Sequence, residues 1–124
     1  MSAPLSRLTF VTPPFGLEHL VDVSVDEIGP GLFALRGADD VRLFVLDASV
    51  HLPDYAPELT DAQATALGIT DPTDALLLVV ATPGDDGTTV NLLAPIVAHV
   101  ATGRAAQVIL EGQDHPLRAA LAVH

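Results

Sequence analysis

Five histidines are the first residues with chemistry to offer: His19, His51, His99, His115 and His124. Imidazole ligands hold a metal when two or more of them recur at helix or turn spacing. No His-x-x-x-His pair occurs here, and no Glu-x-x-His arrangement. His51 lies nearest to other ligands, with Asp47 and Asp54 beside it, a set that suits a mixed nitrogen and oxygen site. Ligand type without ligand spacing is a weak signal. The same three residues read equally as a loop histidine beside solvated carboxylates. An enzyme of unknown class using His51 with Asp54 is the minor reading they leave open.

The other reactive types fare no better. Cysteine is absent, and none of Ser2, Ser6, Ser24 and Ser49 stands in a Gly-x-Ser-x-Gly elbow. Asp26-Glu27, Asp39-Asp40 and Asp85-Asp86 are adjacent carboxylates near glycines. A glycosidase pair must face itself across a cleft from separate elements. Adjacent aspartates beside glycine are turn chemistry. Asp71, Asp74 and Asp85 do not match a calcium loop. Gly84-x-x-Gly87 opens a strand and not a helix, and the chain has no lysine to meet a phosphate. No catalytic residue, cofactor or metal ligand is assigned. A plain surface of this kind favours a protein that binds and does not catalyse.

Charge narrows the partner. Sixteen acidic residues stand against five arginines, for a net charge of −11. Such a surface repels nucleic-acid phosphates and anionic membranes. It suits a basic protein, because complementary fields speed encounter. Acidity that merely keeps the chain soluble is the plainer alternative. Met1–Phe10 holds one arginine and no long apolar stretch, so it does not read as a secretion signal. The longest apolar run, Ala75 to Ala81, is too short to span a bilayer. Without cysteine there is no disulfide, and a cytoplasmic location is the simpler expectation.

The elements that position these residues are short. Ten prolines and nine glycines in 124 residues favour many turns and a β-rich single domain. Leu8–Val11 reads as a strand ended by Pro13-Pro14-Phe15-Gly16. Val21, Val23 and Val25 alternate with Asp22, Ser24 and Asp26, the period of a half-buried strand. Gly29-Pro30-Gly31 turns the chain. Leu32–Arg36 and Val41–Asp47 then form a hairpin across Gly37-Ala38-Asp39-Asp40. His51 to Pro57 reads as a loop. Thr60 caps a two-turn helix, Asp61 to Leu67, with Gln63 as its capping-box partner and Gly68 as its stop. Asp71-Pro72-Thr73-Asp74 is another turn.

Leu76–Ala81, apolar throughout, predicts a central strand, followed by a hairpin loop at Pro83–Gly87. Thr88 to Val100 reads as one long strand interrupted by Pro95, which demands an edge or a bulge. Gly103-Arg104 turns into a last strand, Ala105–Leu110, and Pro116–Leu121 predicts a terminal helical turn. Some seven short strands with one or two short helices make a small barrel or sandwich. Nothing resembles an interdomain linker, so residues 1–124 are expected to be one domain.

Five residues are candidates for partner contact. Tyr55, the one tyrosine, either packs its ring and anchors its hydroxyl, or serves as an interface hot spot. Asp54 and Glu58 flank it and would supply acidity beside such an anchor. Asn91 caps a strand end or turn, or else touches a partner directly. Pro95 shapes an edge or bulge, which is also a place where a partner element docks. Arg118 reads as a partner for a carboxylate at the core edge.

Two stretches carry a family resemblance. Leu43-Phe44-Val45-Leu46-Asp47, Leu52-Pro53-Asp54-Tyr55 and Leu59-Thr60 run into Leu67-Gly68-Ile69 and Asp71-Pro72. Thr88-Thr89-Val90-Asn91-Leu92-Leu93-Ala94-Pro95-Ile96-Val97 is followed by Gly103-Arg104-Ala105-Ala106-Gln107-Val108-Ile109-Leu110 and by His115-Pro116-Leu117-Arg118. Together, over roughly residues 41 to 121, they resemble the FliW family of flagellar assembly factors. Phe15-Gly16-Leu17-Glu18 resembles a turn of that family, and Leu93 stands where the family often has arginine. The resemblance implies a mostly β, small barrel-like single domain with short helices. It implies binding to flagellin in the cytoplasm. In some bacteria it further implies binding to CsrA, a basic RNA-binding translational repressor. Flagellin and CsrA then compete, so accumulated flagellin frees CsrA to silence flagellin translation. The alternative is an acidic module that mimics nucleic acid to block a basic protein.

Overall fold

The computed structural model describes residues 7–12, 21–37, 42–52, 55, 57, 59–84, 87–110 and 119–120. Among the described residues, nine strands share one sheet: β1 Arg7–Thr12, β2 Asp22–Gly29, β3 Leu32–Arg36, β4 Arg42–Asp47, β5 Ala75–Gly84, β6 Gly87–Val90, β7 Ile96–His99, β8 Arg104–Gln107 and β9 Ala119–Ala120. Among the described residues, two α-helices lie between β4 and β5, α1 Ala48–His51 and α2 Asp61–Leu67, followed by a 3-10 turn at Pro72–Asp74. The sheet order runs β4-β3-β2-β1-β8-β7-β5, and β4 also pairs with β5. That last pairing closes seven strands into a barrel, which removes the open edges a flat sheet would expose.

Alternation along each strand fills the interior. Leu8 and Phe10 of β1, Val23 of β2, Phe33 and Leu35 of β3, and Val45 of β4 meet Leu78, Ile96, Ala98 and Ala105 from the far wall. Of the period-two valines, Val23 is buried and Val25 packs against the same cluster, whereas Val21 precedes β2 and is exposed. The predicted hairpin also forms, with Arg36 opposite Arg42 and Leu32 opposite Leu46.

The strand expected to be central is buried on both sides. Leu78 faces the barrel interior while Val79 and Ala81 face an outer cluster with Leu46 and Val90. A second outer cluster joins Leu67 of α2 to Val97, Ala106, Val108 and Leu110. Ten-residue β5 is the common seam. One of its edges takes β4 along Leu78–Ala81. The other takes β7 along Ala75–Leu78 and then β6 along Ala81–Gly84.

Several expectations are corrected. Thr88–Val100 is two strands, not one. The chain leaves β6 after Val90, and Asn91–Pro95 forms an irregular turn before β7. Asn91 causes the break, because its Oδ1 accepts hydrogen bonds from Leu93 N and Ala94 N at 3.1 and 3.0 Å. Pro95 ends that turn, and the strand after it is no edge, since β7 lies between β5 and β8.

The last strand is shorter than expected, and Val108 and Leu110 instead donate to the carbonyls of Pro95 and Leu93. Ala119 and Ala120 are not helical; they pair with Val90 and Thr89 on the edge of β6, which offers a ladder that an isolated helical turn lacks. Asp26 and Glu27 lie within β2 and not in a turn. His51 ends α1 and is not loop. The parallel pairing of β1 with β8 was not foreseen. Pro13–Gly16, Ala38–Asp40, Asp85-Asp86, Pro116–Arg118 and Leu121 lie outside the described residues.

The helix caps behave as their residue types dictate. Thr60 Oγ1 accepts from Gln63 N at 3.1 Å, and Gln63 Oε1 accepts from Thr60 N at 2.9 Å. Gly68 follows in the left-handed region at φ 71°, where a glycine carries no Cβ penalty. Gly103 needs the same freedom at φ 78° and sits against the carbonyl oxygen of Arg7, between β7 and β8.

Candidate functional site

Tyr55 is the residue around which the outer surface is organised. It packs against both outer clusters, the one under α2 and the one over β4 and β5. Its hydroxyl donates to the carbonyl oxygen of Leu92 at 2.5 Å. Burial pushes its pKa from 10.0 up to about 12, since a phenolate there would lose its water. The hydroxyl-anchoring reading therefore holds.

The structure brings Tyr55 and Asn91 to one place. Leu92, whose carbonyl receives the tyrosine, lies inside the turn that the Asn91 side chain shapes. Gln107 Nε2 donates to Ala94 O at 3.0 Å, which ties the same turn to β8. Asn91 thus caps the turn through its Oδ1, as the capping reading expects. Pro95 is buried and belongs to the scaffold. Asp54 and Glu58 lie outside the described residues.

Beside Tyr55 opens a groove of about 530 Å³. Its floor is Ala75 and Leu77 of β5 with Val97 of β7. One wall is Tyr55, Pro57 and Leu59; the other is Ala64 of α2 and Ile69. Asp61, Thr70 and Asp71 stand at its polar margin. The helix sequence explains the space. Among the residues of α2, only Leu67 is buried, and Ala64, which lines the groove, carries no bulk to fill the gap above the strands. Asp71 is held below the usual carboxylate range, because its Oδ1 accepts from both the backbone N and the hydroxyl of Thr73.

Sequence reasoning missed Ala64, Ile69, Asp71 and Leu77 as site residues. The available signal was the apolar run at β5, which needs cover on two faces and is offered only an alanine-rich helix.

The histidine trio resolves differently. His51 Nε2 donates to the carbonyl of Pro30 at 2.9 Å, since a carbonyl oxygen can only accept. Asp47 Oδ1 accepts from the backbone N and hydroxyl of Ser49 and so caps α1. Among the described residues, no group of three or more His, Asp and Glu side chains is placed to hold a metal. His99 Nδ1 accepts from Ala101 N within the turn after β7. His19, His115, His124 and Arg118 lie outside the described residues. Among those residues, no helix is long and apolar enough to cross a membrane.

Comparison with known proteins completes the description. The family model described as "FliW protein" matches residues 3–121. "Flagellar assembly factor FliW 2" of Desulfotalea psychrophila is 36% identical over 95% of this chain and 82% of that protein. "Flagellar assembly factor FliW" of Syntrophotalea carbinolica is 34% identical over 93% of this chain and 86% of that protein. A solved structure described as "Crystal structure of the flagellar assembly factor FliW" superposes with a TM-score of 0.86 over 96% of this chain and 87% of that one, at 24% identity, a likeness of fold. With a closed barrel, a capped α2 and a family match over nearly its whole length, this chain belongs to the FliW family.

Proposed function

We propose that this protein is a flagellar assembly factor that binds flagellin in the cytoplasm and antagonises a CsrA-type repressor by switching partners. The match to the FliW family over residues 3–121, with relatives that carry the assembly-factor name, is the observation that supports this reading most. Partner switching is a linkage effect and makes or breaks no covalent bond. Flagellin and the repressor each bind the same protein, so whichever is in excess releases the other. Asp71, at the margin of the groove, is engaged in a turn with Thr73, and Asn91 and Gln107 are engaged with the turn that holds Tyr55. The protein acts by holding partners, without a catalytic residue, cofactor or metal.

A net charge of −11 favours a second reading, an acidic module that occupies the RNA-binding groove of a basic protein. Co-elution of the purified protein with flagellin, then with the repressor, tests the first reading. A competition titration with RNA separates the two. Displacement of RNA in proportion to added protein supports mimicry of nucleic acid. A ternary complex containing RNA supports binding elsewhere on the repressor.

A further inference from the structure

We propose that the groove beneath α2 receives an apolar side chain of a partner protein, from a segment that carries an arginine or lysine beside it. This rests on the reading of the chain as a binding protein and assigns the surface that does the binding. The groove's volume, about 530 Å³, lies within the range of sites that enclose ligand groups. Its floor and walls are apolar, with Leu77, Val97, Leu59 and Ile69 facing the space. An apolar side chain seated there leaves water, which favours binding in proportion to the apolar area it buries.

The margin decides the neighbour of that side chain. Asp61 and Asp71 stand at the groove and are exposed, and among the described residues no Arg, Lys or His lines it. An apolar side chain flanked by an acid would place like charges together, while one flanked by a cation meets both carboxylates. A second copy of this chain is a poor occupant for the same reason, because each copy carries a net charge of −11. The smaller hollow of about 240 Å³ at Ile28, Phe44 and Pro83 is apolar too, but among the described residues no charged side chain lines it to select an occupant.

The test uses the whole chain and two synthetic helical peptides. One carries leucines at helical spacing with lysines beside them; the other replaces each lysine by glutamate. Methyl NMR titration reads where each binds. The lysine peptide should shift the methyls of Ala64, Ile69 and Leu77 saturably, and the glutamate peptide should not. Ala64→Trp fills the groove from the helix side and should weaken the lysine peptide by more than about tenfold. Asp61→Asn with Asp71→Asn removes both charges, and asparagine retains the Oδ1 that Thr73 needs. That pair should weaken binding by roughly three- to tenfold, as two exposed ion pairs would.

Shifts that avoid these methyls, equal binding of the two peptides, or unchanged binding by both variants would each overturn the proposal. Flagellin serves as a separate arm. If flagellin fails to bind while the lysine peptide fills the groove, the flagellar role is lost and the groove assignment stands. If flagellin binds equally to wild type and both variants, the role stands and the groove assignment is lost.

Discussion

Replacing Tyr55 by phenylalanine removes one hydroxyl and leaves the ring in both outer clusters. The lost bond to Leu92 O is intramolecular and partly shielded, so its net worth is about 1 kcal/mol. For 124 residues the unfolding entropy near the melting point is about 260 cal/mol/K. A loss of about 1 kcal/mol then lowers Tm by about 4 °C. The alkaline behaviour gives a second, independent reading.

The folded hydroxyl titrates at about 12 and the unfolded one near 10.0, so between these values the folded state holds a proton that the unfolded state has lost. Stability from this group is therefore fully present below pH 10 and declines as pH rises toward 12. The gap in Tm between wild type and Tyr55→Phe should narrow over that window. Tyr55 is the one tyrosine and tryptophan is absent, so tyrosinate absorbance follows this group alone. A titration midpoint near 10 in the native protein, together with an unchanged Tm in the variant, would refute the burial and the bond to Leu92.

Three further outcomes follow from the scaffold. Asn91→Ala leaves Leu93 N and Ala94 N without their acceptor and should cost about 1–3 kcal/mol in urea unfolding, while Asn91→Asp retains most of the stability. Gly103→Ala places a Cβ 2.9 Å from the carbonyl oxygen of Arg7 at positive φ; a loss of about 2 kcal/mol, seen as a lower denaturation midpoint, is expected. Leu67→Ala removes the one buried residue of α2 and should lose about 3 kcal/mol, with amide exchange in α2 accelerated more than in β3 or β4.

Much of the barrel was legible because its signals are local. The valines of β2, the Leu32–Asp47 hairpin and the capping box at Thr60 each announce themselves within a few residues, and each stands as read. The pairings that close the barrel are not local. Nothing near Arg7 marks it as a parallel neighbour of β8, and nothing near Asp47 marks Leu78 as its partner. The break at Asn91 was hidden for another reason. Leu92, Leu93 and Ala94 are as apolar as a strand, and only the amide of Asn91, which satisfies two backbone groups, turns them aside.

The candidate site was read in part. Tyr55 was found as the single tyrosine with an anchor to make. The groove beside it was not found, because it arises from what α2 lacks. Ala64 reads as a good helix former, and its failure to fill space becomes visible only beside Ala75 and Leu77 of β5 and Val97 of β7.

Flagellin binding is proposed for this protein, and calorimetric titration with flagellin from the same genome decides it. Saturable binding at a defined stoichiometry is expected, with release of a CsrA-type repressor when flagellin is added to the preformed complex. Absence of heat and of co-migration with flagellin at any working concentration would contradict it, and would leave the FliW fold with the acidic, RNA-mimicking role as the reading to pursue.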